Sequence, residues 1–131
     1  MKVSTPFDPD ADLIIVEAKL SGPRGSISIK MALDTAAVGT LVIPDVLDEI
    51  GYSARDGTRL TSVTSAVATE HGFLLKVAEI EALGFVIGSL PVNIFELPDG
   101  FGIAGLLGLN FLRHFNYEIR STDCWIVAER I

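Results

Sequence analysis

Ile27, Ile29, Met31 and Leu33 alternate with Ser26, Ser28, Lys30 and Ala32, the period-two pattern of a strand with one buried face. An earlier apolar-rich run covers residues 13–20, and Ser21-Gly22-Pro23-Arg24-Gly25 between the two is turn chemistry. The pair therefore predicts a hairpin. Short strand-like runs recur at residues 73–82, 85–95, 117–119 and 124–128, while residues 58–69 are rich in Thr, Ser, Val and Ala. Ala68-Thr69-Glu70-His71-Gly72 reads as the tip of a long hairpin between residues 58–69 and 73–82. Helical patterning is confined to two short pieces. One spans residues 46–50, with Asp45 as the expected N-cap and Gly51 as the stop. The other spans residues 111–115, capped by Asn110, with residues 111, 112 and 115 on one apolar face. Residues 1–12 are polar and proline-broken, an N-terminal arm, which leaves residues 13–131 as one domain. Many short strands and little helix predict an all-β chain, a closed or folded-over barrel.

Asp34 interrupts this pattern. The alternating strand runs straight into Asp34-Thr35-Ala36-Ala37, followed by Gly39-Thr40 and a second apolar strand at 41–43. A lone Asp at a strand end is commonly a turn residue bonded to its own backbone. Here it follows a half-buried strand, has a hydroxyl beside it, and is flanked by two alanines that leave little side-chain volume. Two such carboxylates brought together cannot both ionise and hold one proton between them. The ionised partner can then take a proton from water while the other donates to a carbonyl oxygen. The chain has one such element, so a second acid would come from a second subunit across a two-fold axis.

Composition narrows the alternatives. At 131 residues the chain is one domain. It is 49% hydrophobic, with mean hydropathy +0.45, yet no run approaches the roughly 18 apolar residues of a membrane span. The excess is expected in a core and a homodimer interface, with no membrane span in this chain. A net charge of −7 with ten scattered Lys and Arg argues against nucleic acid. Cys124 is the only cysteine, so neither an intrachain disulfide nor a thiolate metal cluster is expected. With no hydrophobic leader visible, a cytoplasmic or otherwise intracellular setting is expected. His71 and His114 have no partners at zinc spacing. Asp8, Asp10 and Asp12 imitate a calcium loop, but Leu13 and Lys19 stand where its glycine and glutamate belong. Residues 100–105 satisfy a dinucleotide fingerprint without the strand and helix it requires. The Ser/Thr run at 61–65 contains no nucleophile elbow. No metal and no cofactor are expected.

Two motifs taken together carry a resemblance. Asp34-Thr35-Ala36-Ala37, followed by Thr40 and the apolar residues 41–43, pairs with Gly105-Leu106-Leu107-Gly108-Leu109-Asn110-Phe111-Leu112 downstream. Over most of its length the chain resembles the retropepsin-like (retroviral-type) aspartic proteases, single-domain subunits that work as homodimers. The resemblance implies an acid-protease closed β-barrel with a flap hairpin and one or two short helices. It implies hydrolysis of an extended polypeptide by a water activated between one Asp34 from each subunit, with no cofactor. It assigns support of that dyad to Thr35, Ala36 and Ala37, Thr35 linking the two loops across the dimer axis. The flap falls to Ala66, Val67, Ala68, Thr69, Glu70, His71 and Gly72, and a structural loop beside the site to Leu107, Gly108 and Asn110. Ala36 stands where the family pattern has glycine. At negative φ it would keep its N–H aimed at Asp34; at positive φ, or against a close neighbour, its methyl would disturb the site. The alternatives are a catalytically silent dimerisation or peptide-binding domain on the same fold, and a small β-barrel binding module with Asp34 at an exposed turn.

Overall fold

A computed structural model describes residues 1–64, 69–98, 100 and 102–131. In chain order the elements are β1 (Lys2–Pro6), β2 (Ile15–Gly22), β3 (Gly25–Leu33), β4 (Thr40–Val42), α1 (Pro44–Glu49), β5 (Arg59–Thr64) and β6 (Thr69–Ala82). They continue with β7 (Phe85–Ile94), β8 (Gly105–Leu107), α2 (Leu109–Leu112), β9 (Phe115–Arg120) and β10 (Trp125–Arg130).

Strands β2, β3, β8, β4, β7 and β6 are hydrogen-bonded in that order, and β6 pairs back onto β2 through Leu20 and Ile80. The all-β expectation is met as a closed six-stranded barrel with β5 lying outside it on β6. Closure gives each of those six strands a ladder partner on both sides over part of its length. Val16, Leu20, Met31, Val42, Leu75, Val77, Val92 and Ile94 point inward and are buried. Phe111 and Leu112 from α2, with Leu47 from α1 and Ile50 at its C-cap, belong to the same core. A second sheet, β1-β10-β9, adds Ile126, Ala128 and Phe115 to it. Phe115 packs its ring 5.1 Å from Phe85 and 5.3 Å from Phe111.

The hairpin predicted from residues 13–33 is present, with Gly22 opposite Gly25 and Pro23-Arg24 as its turn. Part of the arm at 1–12 is strand β1, whose Lys2 lies opposite Glu129 of β10. Helix α1 opens on Pro44, with Ile43 in the N-cap position. Asp45 is therefore not the cap; it sits in the first turn, where an acid favours the helix dipole. Gly51 ends α1 as expected, at φ +97. Its N–H donates to Asp48 and that of Tyr52 to Leu47, the two bonds of a Schellman stop. Helix α2 occupies residues 109–112 with Gly108 at its N-cap, so Asn110 lies inside it rather than capping it. In the β5–β6 hairpin Thr64 faces Thr69. Thr69, Glu70, His71 and Gly72 thus belong to strand β6 rather than to a hairpin tip; residues 65–68 lie outside the described ones. Cys124 also leaves its expected strand: it lies in the β9–β10 turn at φ 59. Among the described residues, no helix is long and apolar enough to cross a membrane.

Candidate active site

Strand β8 sets the geometry around Asp34. It runs parallel to β3, with Met31 opposite Gly105 and Leu33 opposite Leu107. On its other side it runs antiparallel to β4, with Leu41 opposite Leu106. The chain therefore leaves β3 on one side of β8 and re-enters the sheet as β4 on the other. Residues 34–39 must arch over the end of β8. Asp34 begins the arch and extends the parallel ladder, its N–H donating to the Leu107 carbonyl at 3.0 Å.

The arch is fastened to α2. The N–H groups of Leu109 and Asn110 donate to the carbonyls of Ala37 and Val38 at 2.8 and 3.1 Å. Asn110 Oδ1 accepts the Thr40 N–H at 2.9 Å and the Thr40 hydroxyl at 2.7 Å. That hydroxyl in turn accepts the Gly108 N–H at 3.1 Å, and Asn110 Nδ2 donates to the Pro91 carbonyl at 2.7 Å. Buried polar groups need partners, and this set is reciprocal. Gly108 has to be glycine, because a Cβ there would run into the Gly39 carbonyl. The sequence reading marked Leu107, Gly108 and Asn110 as a loop beside the site; Leu107 instead ends strand β8, Gly108 is the N-cap of α2 and Asn110 lies inside that helix, and Asp34, Thr40 and Val38 bond to them. That reading did not single out Thr40 as a site residue, although a polar residue opening an apolar strand was the available signal.

Within the arch, the Ala36 N–H donates to Asp34 Oδ1 at 3.0 Å and the Ala37 N–H to the Asp34 carbonyl at 3.3 Å. One carboxylate oxygen is thereby oriented by the backbone. Asp34 and Ala37 are half-buried, and Thr35, Ala36 and Val38 are exposed. The described non-glycine residues at positive φ are Leu83, Ser89 and Cys124, so Ala36 holds an ordinary negative φ. Its methyl neither strains the backbone nor prevents its N–H from reaching Asp34.

Side chains alternate across the sheet. Because Val92, Val42, Met31 and Leu107 face the core, their neighbours face outward. Ladder pairing sets Leu74 beside Asn93, Asn93 beside Leu41, Leu41 beside Leu106, and Leu106 beside Ala32. This outward row leads to the face of β3 that ends in Asp34. Of the residues expected to cover such a face, Ala66, Val67 and Ala68 lie outside the described residues. Thr69, Glu70, His71 and Gly72 run along β6 opposite Thr64, Val63, Ser62 and Thr61. Among the described residues, no three His, Cys, Asp or Glu side chains converge in a metal-binding group.

A family model described as aspartyl protease matches residues 16–111, a span containing Asp34, Gly108 and Asn110. None of the curated proteins matches the chain. Among solved structures, the crystal structure of a retropepsin-like aspartic protease from Rickettsia conorii is similar over 98% of this chain and 89% of that one. The TM-score is 0.73 at 15% sequence identity, a likeness of fold.

Proposed function

The chain belongs to the aspartyl protease family, on a retropepsin-like barrel, and from that premise we propose that it is an aspartic endopeptidase active as a homodimer. The observation that carries this reading is the placement of Asp34. It is a single acid at the end of a core strand, oriented by the Ala36 N–H and set in a loop bonded on its far side to α2. One such acid per chain supplies half of a dyad, and a two-fold axis beside the exposed residues Thr35 and Ala36 supplies the other half.

In that dimer one proton is shared between the two Asp34 carboxyls. The ionised one takes a proton from a water as its oxygen bonds to the scissile carbonyl carbon; the protonated one gives its proton to the carbonyl oxygen. The resulting gem-diol collapses as the C–N bond breaks, with a carboxyl proton passing to the leaving nitrogen. Thr35 supports the pair from the exposed tip of the loop. Ala36 and Ala37 leave room for the second subunit to approach. An extended peptide would lie along the outward row containing Ala32, Leu106 and Leu41, bound in part through its main chain as an added strand. The β5–β6 hairpin would cover it as a flap, the role that the family resemblance gives to this segment.

Ala36 bears on the alternative, a silent dimerisation or peptide-binding domain. Its negative φ and its bond to Asp34 favour catalysis. Peptide-library cleavage by the wild type beside Asp34→Asn decides between them. The wild type is expected to cut at defined positions and the variant to lose at least about a hundredfold in rate, at unchanged dimer content. Equal cleavage by both would remove Asp34 from the chemistry.

A further inference from the structure

Between Leu74 and Ala32 the outward row beside Asp34 is apolar except at one position, and beyond Leu74 its next rung is the exposed Arg59. Leu74, Leu41 and Leu106 are half-buried and Ala32 is buried, and Asn93 stands among them, half-buried, on strand β7. Its chain neighbours Val92 and Ile94 are core residues at 0% and 2% exposure, so the Asn93 side chain is on the opposite, outward face. The amide also reaches the loop that carries Asp34: a Cβ built on Gly39 would lie 2.8 Å from Asn93 Nδ2. With no side chain at Gly39, the carboxamide rests close to the loop backbone, just before Thr40 is clamped by Asn110. Outward exposure alone would have suited a serine or lysine equally well. A carboxamide lodged against Gly39 and ringed by Leu41 and Leu74 is a placed group.

We propose that Asn93 is a specificity-determining residue, forming a polar subsite next to the Asp34 loop that selects a carboxamide side chain, Gln or Asn, in the bound peptide. This rests on the reading of the outward row as the peptide-binding face. A peptide lying there would take the Asn93 amide out of water, and a polar group covered without a partner weakens binding by about ten- to a hundredfold. An aliphatic substrate residue leaves both its N–H and its carbonyl unpaired. A carboxylate can answer only the N–H and adds a negative charge near Asp34. A cation can answer only the carbonyl. A second carboxamide answers both reciprocally. Sites built around a hydrogen-bonding group reject ligands that lack the complement far better than apolar pockets discriminate by size.

The test is a peptide set in which each position flanking the cleavage site is varied among Gln, Asn, Leu, Glu and Lys. Cleavage is measured for the wild type and Asn93→Leu, and binding of the same peptides is measured for Asp34→Asn with and without Asn93→Leu. The wild type should prefer Gln or Asn at one position by about ten- to a hundredfold in kcat/KM, and Asn93→Leu should transfer that preference to Leu. Cleavage with one and the same profile in both proteins, or a wild-type preference for Leu, Glu or Lys there, overturns the subsite and leaves the protease reading standing. Peptide binding that shows the carboxamide preference without any cleavage keeps the subsite and overturns the protease reading. Neither binding nor cleavage overturns both.

Discussion

Among the described residues Thr40 is the one buried polar side chain, and it holds the Asp34 loop through the side chain of Asn110. Removing that side chain in Asn110→Ala leaves the Thr40 N–H and the Pro91 carbonyl without their partners and takes the acceptor from the Thr40 hydroxyl. At about 1–3 kcal/mol for a stranded buried group, the variant should lose about 3 kcal/mol in urea unfolding, a large part of a typical domain's stability. A loss below about 1 kcal/mol would mean that water replaces the bonds. Asn110 was legible in the sequence as a structural residue, but its task was not. Local chemistry favours Asn as a cap, whereas its real partner lies 70 residues away. Ala36 is the reverse case. The departure from the family pattern was plain in the sequence, and its consequence depended on a φ angle that sequence does not give. Since that angle is negative, Ala36→Gly should leave kcat/KM within about twofold and cost about 0.5–1 kcal/mol through added freedom in the unfolded chain. A large gain in activity would show that the methyl obstructs the dyad.

The elements divide by the range of the contacts that define them. Hairpins β2–β3 and β6–β7 join neighbours in sequence; the turn of the first and the strands of both could be read directly. The parallel ladders β3–β8 and β4–β7 could not, because period-two patterning states which face is buried and not which strand lies alongside. Yet these ladders place Asp34, and they depend on β8 passing between β3 and β4. The close approach of Gly108 to Gly39 is the tightest point of that passage. Gly108→Ala puts a methyl into a backbone carbonyl, with no flexible side chain to move aside. We expect a loss of about 3 kcal/mol or more, as for other overpacked sites. Gly88→Ala is the matched control. Gly88 is exposed in β7, and its added Cβ meets only the Ala78 carbonyl at 3.6 Å, an ordinary contact. Stability there should hold or rise by about 0.5 kcal/mol. Equal losses in thermal unfolding would mean that glycine flexibility, rather than the crossing of β8 under the loop, is what Gly108 supplies.

At the scale of the whole molecule, the single chain exposes more than its size requires. Its accessible surface is 7623 Å², against about 6,700 Å² expected of a compact monomer of this mass. Val38 and Leu60 are 75% and 88% exposed, the first in the Asp34 loop and the second on the hairpin strand β5. The proposed dimer would cover Val38 with the rest of the loop and give each Asp34 its partner. It also makes catalysis a property of subunit pairs, which can be counted. If one Asp34 comes from each chain, a wild-type subunit paired with an Asp34→Asn subunit holds a single acid and cannot divide the roles of base and acid. Wild-type protein re-equilibrated with a roughly ninefold excess of Asp34→Asn should then retain about a tenth of its activity by random pairing. A chain that completes its own site would retain all of it. Specific activity should likewise fall on dilution below the dissociation constant, in step with the dimer fraction seen by sedimentation. Activity insensitive both to mixing and to dilution would place the whole reaction within one subunit, and would leave Asp34 needing a second acid from its own chain, where no second Asp-Thr-Ala-Ala element exists.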